Sequence, residues 1–156
     1  MARKYLIETF GCQMNFHDSE RMAGLLEQAG YERTDDEAEA DVVVINTCSV
    51  REHAAEKLFS RLGELRQLEA DGKAAPIIAV AGCVAQQEGM NILRRAPSVD
   101  VVVGTQAMRR LPVLVDQAET TGRPQVDLNP YEDVSFPLGL ARRSDPVKAY
   151  VTILEG

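Results

Sequence analysis

Short runs of consecutive apolar residues are the feature that most restricts the fold of this chain. The clearest are residues 42–45, Val-Val-Val-Ile, and residues 101–103, Val-Val-Val. Such uninterrupted runs are typical of strands covered on both faces, since a strand with one wet face alternates apolar and polar residues. We therefore expect central strands that lie between two layers of helices.

Segments with helical periodicity separate these runs. Met22, Leu25, Leu26 and Ala29 recur at the spacing of one helix face, and Leu58, Leu62 and Leu65, together with Ala55, form a second such stripe. A capping-box pattern at residues 49–52 predicts where the second helix begins. The predicted strands are 4–10, 41–47, 77–81 and 99–103, with a short edge strand at 31–33. The predicted helices are 16–29, 49–71, 85–95 and 108–121.

This strand–helix alternation predicts one α/β domain over residues 1–122. We expect three layers, α/β/α, around a mostly parallel sheet of the flavodoxin or Rossmann kind. Residues 123–146 hold four prolines and are predicted to be a linker. Residues 147–156 again resemble a strand, and we interpret them as the start of a further, truncated domain.

Charge and hydropathy exclude some classes of function. The net charge is −7, whereas a domain that grips a nucleic-acid backbone alone is normally basic. No apolar run reaches the roughly 18 residues of a membrane span, and the N-terminus lacks the features of a signal peptide. We therefore expect a cytoplasmic protein without a membrane partner. The sequence makes no prediction of oligomeric state.

The three cysteines, Cys12, Cys48 and Cys83, lie far apart in sequence, yet each follows a predicted strand. Because the carboxyl ends of parallel strands share one edge of the sheet, where α/β folds bind ligands, we expect the three thiols to converge there. Gly11 and Gly82 precede two of them and would allow close approach to a bulky ligand. A reducing compartment disfavours disulfides, so a shared metal site is the favoured interpretation.

Soft thiolate ligands favour an iron–sulfur cluster, zinc or Cu(I). Three cysteines on a four-iron cluster would leave one iron open, since such clusters usually take four. Zinc in a three-cysteine site and three unrelated buried cysteines remain the alternatives. Asn15, Asn46 and Thr47 are candidates for residues that support the site, with hydrogen bonds to sulfur expected from Asn46 and Thr47.

Other catalytic motifs are absent from the sequence. It has no G-x-G-x-x-G after the first strand, no P-loop and no G-x-S-x-G nucleophile elbow. A nucleophilic pair of Cys12 with His17 is a minor alternative. The acidic run at residues 35–37 and the paired arginines are interpreted as solvated surface.

Three motifs, in order, resemble the radical-SAM methylthiotransferases. Gly-Cys-Gln-Met-Asn at residues 11–15, Asn-Thr-Cys-Ser-Val-Arg at 46–51 and Ala-Gly-Cys-Val-Ala-Gln at 81–86 carry the resemblance. The first two are similar to the tRNA branch, the MiaB-like enzymes. The ribosomal-protein branch typically has Pro-Lys where this chain has Gln13-Met14.

The resemblance implies a function for the cysteines. Cys12, Cys48 and Cys83 would ligate an auxiliary [4Fe-4S] cluster whose open iron carries the sulfur to be transferred. A second [4Fe-4S] cluster, on a radical-SAM domain in the same chain, would cleave S-adenosylmethionine. The product would be a methylthio group on C2 of N6-isopentenyladenosine in tRNA.

The three-cysteine motif of the radical-SAM domain is missing here, as is an RNA-binding domain. We therefore expect this chain alone to be inactive, although the whole protein would be an enzyme. The ribosomal-protein branch and a non-catalytic zinc-binding module are kept as alternative functions.

Overall fold

The computed structural model describes residues 3–11, 13–48, 53–70 and 75–128. There, six strands alternate with helices along the chain. The strands are β1 (Lys4–Phe10), β2 (Glu32–Arg33), β3 (Val42–Thr47), β4 (Ile77–Ala81), β5 (Val101–Val103) and β6 (Gln125–Asp127). The helices are α1 (Gln13–Gln28), α2 (Ala54–Ala70), α3 (Cys83–Glu88), α4 (Met90–Arg95) and α5 (Leu111–Thr121), the last preceded by a 3-10 turn at Met108–Arg110.

The strands form one sheet in the order β2-β1-β3-β4-β5-β6, and every pairing is parallel. The first five strands have the doubly wound order of flavodoxin-like folds, in which the chain reverses direction across the sheet between β1 and β3. Ligands bind such sheets outside the carboxyl ends of the strands at that reversal. The predicted α/β architecture is confirmed, and the sheet is wholly parallel.

Apolar cores fill both faces of the sheet, because alternate residues of each strand point to opposite sides. Val42 and Val44 pack with α1 and α5 on one face, whereas Val43 and Ile45 pack with α2, α3 and α4 on the other. All six residues of β3 are buried. The uninterrupted apolar run thus reflects a strand that is covered on both sides.

Several boundaries differ from those that periodicity predicts. The helix predicted over 85–95 is two helices, since Gly89 adopts a φ of 51° and interrupts it. His53 has a φ of 67°, so α2 begins after it at Ala54. The predicted capping box at 49–52 lies outside the described residues. Pro112, near the start of α5, has no N–H to bond the preceding turn, which separates α5 from the 3-10 turn.

Strand β6 was not predicted; it pairs with β5 and lies within the segment interpreted as a linker. The sheet therefore extends to Asp127, past the predicted boundary at residue 122. The strand β6 has only three residues and follows Pro124, so it is too short to show the alternation of apolar and polar residues that predicts a strand. The rest of the predicted linker, beyond residue 128, and the segment 147–156 lie outside the described residues. In the part of the chain that is described, no helix is long and apolar enough to cross a membrane.

An ion-pair network joins α2 to the first strand. The Arg61 guanidinium donates to both carboxylate oxygens of Glu8, from Nε at 3.0 and 2.8 Å, and also contacts Glu37 and Glu64. Its side chain is only 18% exposed. These carboxylates, chiefly Glu8, raise the pKa of Arg61 above its usual value. The network fixes α2 against β1.

Replacing Arg61 with methionine should therefore destabilise the chain. Glu8 and Glu37 would lose the cation that they share, so we expect a loss of about 2 kcal/mol, between the values typical of exposed and buried pairs. Urea denaturation measures the change. Arg61→Lys is the control, because it keeps the charge without the two-oxygen geometry. A methionine variant as stable as the wild type would contradict this role.

Candidate metal centre

Three neighbouring strands, β1, β3 and β4, end beside one another where the chain reverses across the sheet. Cys48 directly follows β3 and is 3% exposed, and Cys83 is the first residue of α3 and is partly exposed. Cys12 lies outside the described residues, between Gly11 at the end of β1 and Gln13 at the start of α1. Sequence position therefore attaches one cysteine to each of three adjacent strand ends.

The end of β1 contacts the end of β3 closely. The Cys48 backbone N–H donates to the Phe10 carbonyl at 3.0 Å. Gly11 has a φ of 146°, and a Cβ built on it would stand 2.7 Å from the Cys48 Cβ and 2.5 Å from Asn15 Oδ1. A side chain does not fit at residue 11. Glycine therefore allows the residue before Cys12 to touch Cys48.

The end of β4 contacts the end of β3 in the same manner. Gly82 has a φ of 97°, and a Cβ there would stand 2.6 Å from Asn46 Oδ1 and would overlap the Thr47 carbonyl oxygen. The residue before Cys83 thus packs against the two residues before Cys48. Two glycines, one on each side of β3, bring the three strand ends together.

Asn46 is the centre of a buried hydrogen-bond network at these ends. Its Nδ2 donates to the Asn15 carbonyl at 2.7 Å and to Ser19 Oγ at 3.0 Å, and its Oδ1 accepts from Asn15 Nδ2 at 3.2 Å. Ser19 Oγ in turn lies 2.6 Å from Thr9 Oγ1. Asn46 is fully buried. Both of its amide hydrogens are engaged within the protein, which leaves neither for the sulfur acceptor expected from the sequence.

We predict that Asn46→Ala destabilises the metal-free chain by about 2–4 kcal/mol. The substitution removes three hydrogen bonds and takes the Asn46 partner from the buried Asn15 carbonyl and side-chain amide, each lost partner costing roughly 1–3 kcal/mol, whereas Ser19 Oγ keeps its hydrogen bond to Thr9 Oγ1. Chemical denaturation followed by circular dichroism measures the loss. Asn91→Ala is the control, because Asn91 is exposed in α4. Equal effects of the two substitutions would show that the network contributes nothing to stability.

Ser19 and Thr9 were not predicted as members of this network. Ser19 lies four residues after Asn15, on the face of α1 that meets the sheet. That spacing of two polar residues on a buried helix face was the available signal. Short polar side chains are common at helix starts, so the signal alone did not identify them.

Thr47 differs from Asn46 although it is adjacent and equally buried. It is 0% exposed, and its Oγ1 has no hydrogen-bond partner within the described part of the chain. Strand alternation places its side chain on the opposite face of the sheet, toward α2 and α3. Asn46 and Thr47 thus have different environments. The Asn46 side-chain amide makes three hydrogen bonds, and the Thr47 hydroxyl makes none within the described residues.

The histidines do not join the two described cysteines in a ligand set. The His53 ring is exposed, and its Nδ1 lies 2.7 Å from Glu56 Oε2. His17 is buried in α1, and its predicted alternative partner, Cys12, lies outside the described residues. Over the ranges that the structure describes, no three His, Cys, Asp or Glu side chains form a metal-binding group.

The residues at this edge fit a thiolate-ligated group. Cys48 and Cys83 are soft donors that follow adjacent strands, Gly11 and Gly82 leave no side chain over the strand ends, and Thr47 offers a buried hydroxyl. Iron–sulfur clusters are usually held by cysteine thiolates, and hydrogen bonds to their sulfurs tune the reduction potential. A third thiolate from Cys12 would complete a three-cysteine set.

Similar sequences are found over the whole chain. It is 50% identical over its full length to a protein of Nitrosospira multiformis, 51% to one of Stutzerimonas stutzeri and 50% to one of Pseudomonas aeruginosa. Each is named tRNA-2-methylthio-N(6)-dimethylallyladenosine synthase. The chain spans 33%, 36% and 35% of these relatives, respectively, and so about a third of their length.

A family model matches residues 4–104, which contain β1 to β5 and all three cysteines. The resemblance that the three motifs carry is therefore confirmed at the level of the family. The chain belongs to the family described as Uncharacterized protein family UPF0004, and it is half identical to the N-terminal part of tRNA methylthiotransferases.

Proposed function

We propose that this chain is the auxiliary-cluster domain of a tRNA methylthiotransferase, in which Cys12, Cys48 and Cys83 hold a [4Fe-4S] cluster with one open iron. The observation that carries the proposal is the meeting of three cysteine-bearing strand ends at the reversal of a parallel sheet. The names of relatives that are half identical over the whole chain support the same activity.

The protein's own residues would hold and shield such a cluster. Cys48, buried against Gly11, would contribute a fixed ligand, and Cys83, which is partly exposed, would contribute a second. Asn46 would keep the strand ends at a constant spacing through Asn15 and Ser19. When bound, a cluster with an open iron supplies a site where sulfur is held for transfer.

The relatives' names support tRNA carrying N6-dimethylallyladenosine as the whole protein's substrate. The resemblance of the three motifs implies S-adenosylmethionine and a second [4Fe-4S] cluster on a radical-SAM domain as its further cofactors. The net charge of this chain, −7, disfavours binding to the tRNA backbone, so other domains would bind it. The cytoplasm, where thiols stay reduced, is the proposed compartment.

Anaerobic reconstitution tests the cluster. The chain is incubated with iron and sulfide, desalted, and analysed for iron, sulfide, zinc and visible absorption. We expect about four iron and four sulfide per chain. A colourless product with one zinc would instead support the zinc-binding module. A folded product with neither metal would contradict the proposal that these cysteines form a metal site.

A second experiment tests the activity. The full-length protein that contains this domain is supplied with S-adenosylmethionine, a reductant and tRNA bearing N6-dimethylallyladenosine, and the nucleosides are analysed by mass spectrometry. We expect the 2-methylthio derivative. A reconstituted enzyme that modifies a ribosomal protein but not the tRNA would favour the alternative branch.

A further inference from the structure

We propose that the Thr47 hydroxyl is a hydrogen-bond donor to a sulfur of the bound cluster. The inference rests on the proposed function, because it assigns a partner within the same site. The observation behind it is a hydroxyl that is completely buried and has no partner among the described residues.

Thr47 lies in the middle of the cysteine-bearing edge. It is the last residue of β3, and Cys48 follows it directly. Phe10, two residues before Cys12, is its partner across the sheet on one side. On the other side, Gly82, the residue before Cys83, packs against its backbone N and O. Thr47 is therefore close in the sheet to the segments that carry all three cysteines.

A buried hydroxyl without a hydrogen-bond partner is unfavourable. Nearly all buried polar groups in folded proteins therefore have at least one partner. Valine has the same shape and would remove the unfavourable group. A threonine is justified here if a ligand supplies the acceptor. Thiolate and sulfide sulfurs are acceptors that carry negative charge, and hydrogen bonds to them favour the reduced cluster and raise its reduction potential.

Thr47→Val therefore has opposite consequences in the two states of the chain. In the metal-free chain, unfolding should occur at the same or a higher temperature than in the wild type, since no hydrogen bond is lost. In the reconstituted chain, the midpoint potential of the cluster should move to more negative values. Release of iron to a chelator should be about tenfold faster, as expected for loss of one hydrogen bond to a charged acceptor. Thr47→Ser retains the hydroxyl and should restore the potential.

The outcomes separate this inference from the proposed function. If the wild-type chain forms the cluster but Thr47→Val leaves the potential and the release rate unchanged, the inference is overturned and the proposed function stands. If the metal-free Thr47→Val chain melts clearly below the wild type, the hydroxyl has a partner within the protein and the inference also fails. Failure of the wild-type chain to bind iron overturns both.

Discussion

Replacing Cys48 with alanine should reduce reconstituted iron from about four atoms per chain to less than one, because each of three thiolates is needed to hold a four-iron cluster. Cys48 is the appropriate first target because it is the more buried of the two described cysteines and lies against Gly11. Alanine keeps the Cβ that meets Gly11, so the packing of the strand ends changes little. Iron and sulfide analysis, with the visible spectrum, measures the loss.

The same substitution should have little effect on the metal-free fold. Removing one sulfur from a buried site costs about 1 kcal/mol, the scale of a single small core truncation. Cys83→Ala and Cys12→Ala are the companion variants, with the same expected loss of iron. A Cys48→Ala chain that folds normally and retains four iron atoms with the wild-type spectrum would exclude Cys48 as a ligand.

Gly82→Ala should cause a large loss of stability for the addition of a single methyl group. Its φ of 97° is unfavourable for alanine, and the new Cβ would overlap the Thr47 carbonyl oxygen, a backbone atom that cannot rotate away. We expect a loss of about 3–5 kcal/mol, combining backbone strain of roughly 1–3 kcal/mol with overpacking of a similar size.

Gly30→Ala is a closely matched control. Gly30 has a φ of 96°, almost the same as Gly82, but a Cβ there meets nothing within 4 Å. The free energy of unfolding of the Gly30→Ala variant should fall only by the cost of the backbone strain, about 1–2 kcal/mol. The difference between the two variants in urea denaturation gives the cost of crowding the end of β3. Equal losses would contradict the close packing that we describe between Gly82 and Thr47.

Strands were more predictable from the sequence than helix boundaries. The bounds of β1 and β4 were predicted to the residue, and a glycine directly follows each strand, Gly11 after β1 and Gly82 after β4. Helix boundaries were less accurate. One helix was predicted over 85–95, and only the structure shows that Gly89, with a φ of 51°, separates α3 from α4.

For the site, the sequence predicted that the cysteines follow strand ends but not what the residues there contact; Cys48 and Cys83 follow β3 and β4, and Cys12 lies outside the described residues. Topology makes such positions predictable, since parallel strands bring their carboxyl ends to one side whatever the side chains. The roles of Asn46 and Thr47 depend on the face to which each side chain turns and on distances of a few ångströms to Ser19 and Gly82. No local pattern encodes such contacts between segments that are distant in sequence.

The wholly parallel sheet also has a consequence for the timing of biogenesis. None of the pairings among the described strands is a hairpin. Each strand can therefore pair with its neighbour only after the crossover segment between them has been synthesised. Pairing across such distances is slow, because chain entropy is lost before contacts form. The ends of β1, β3 and β4 become neighbours only when Ala81 has left the ribosome. On a nascent chain the cysteines are separate thiols, and the proposed cluster site is complete only after these three strands have paired.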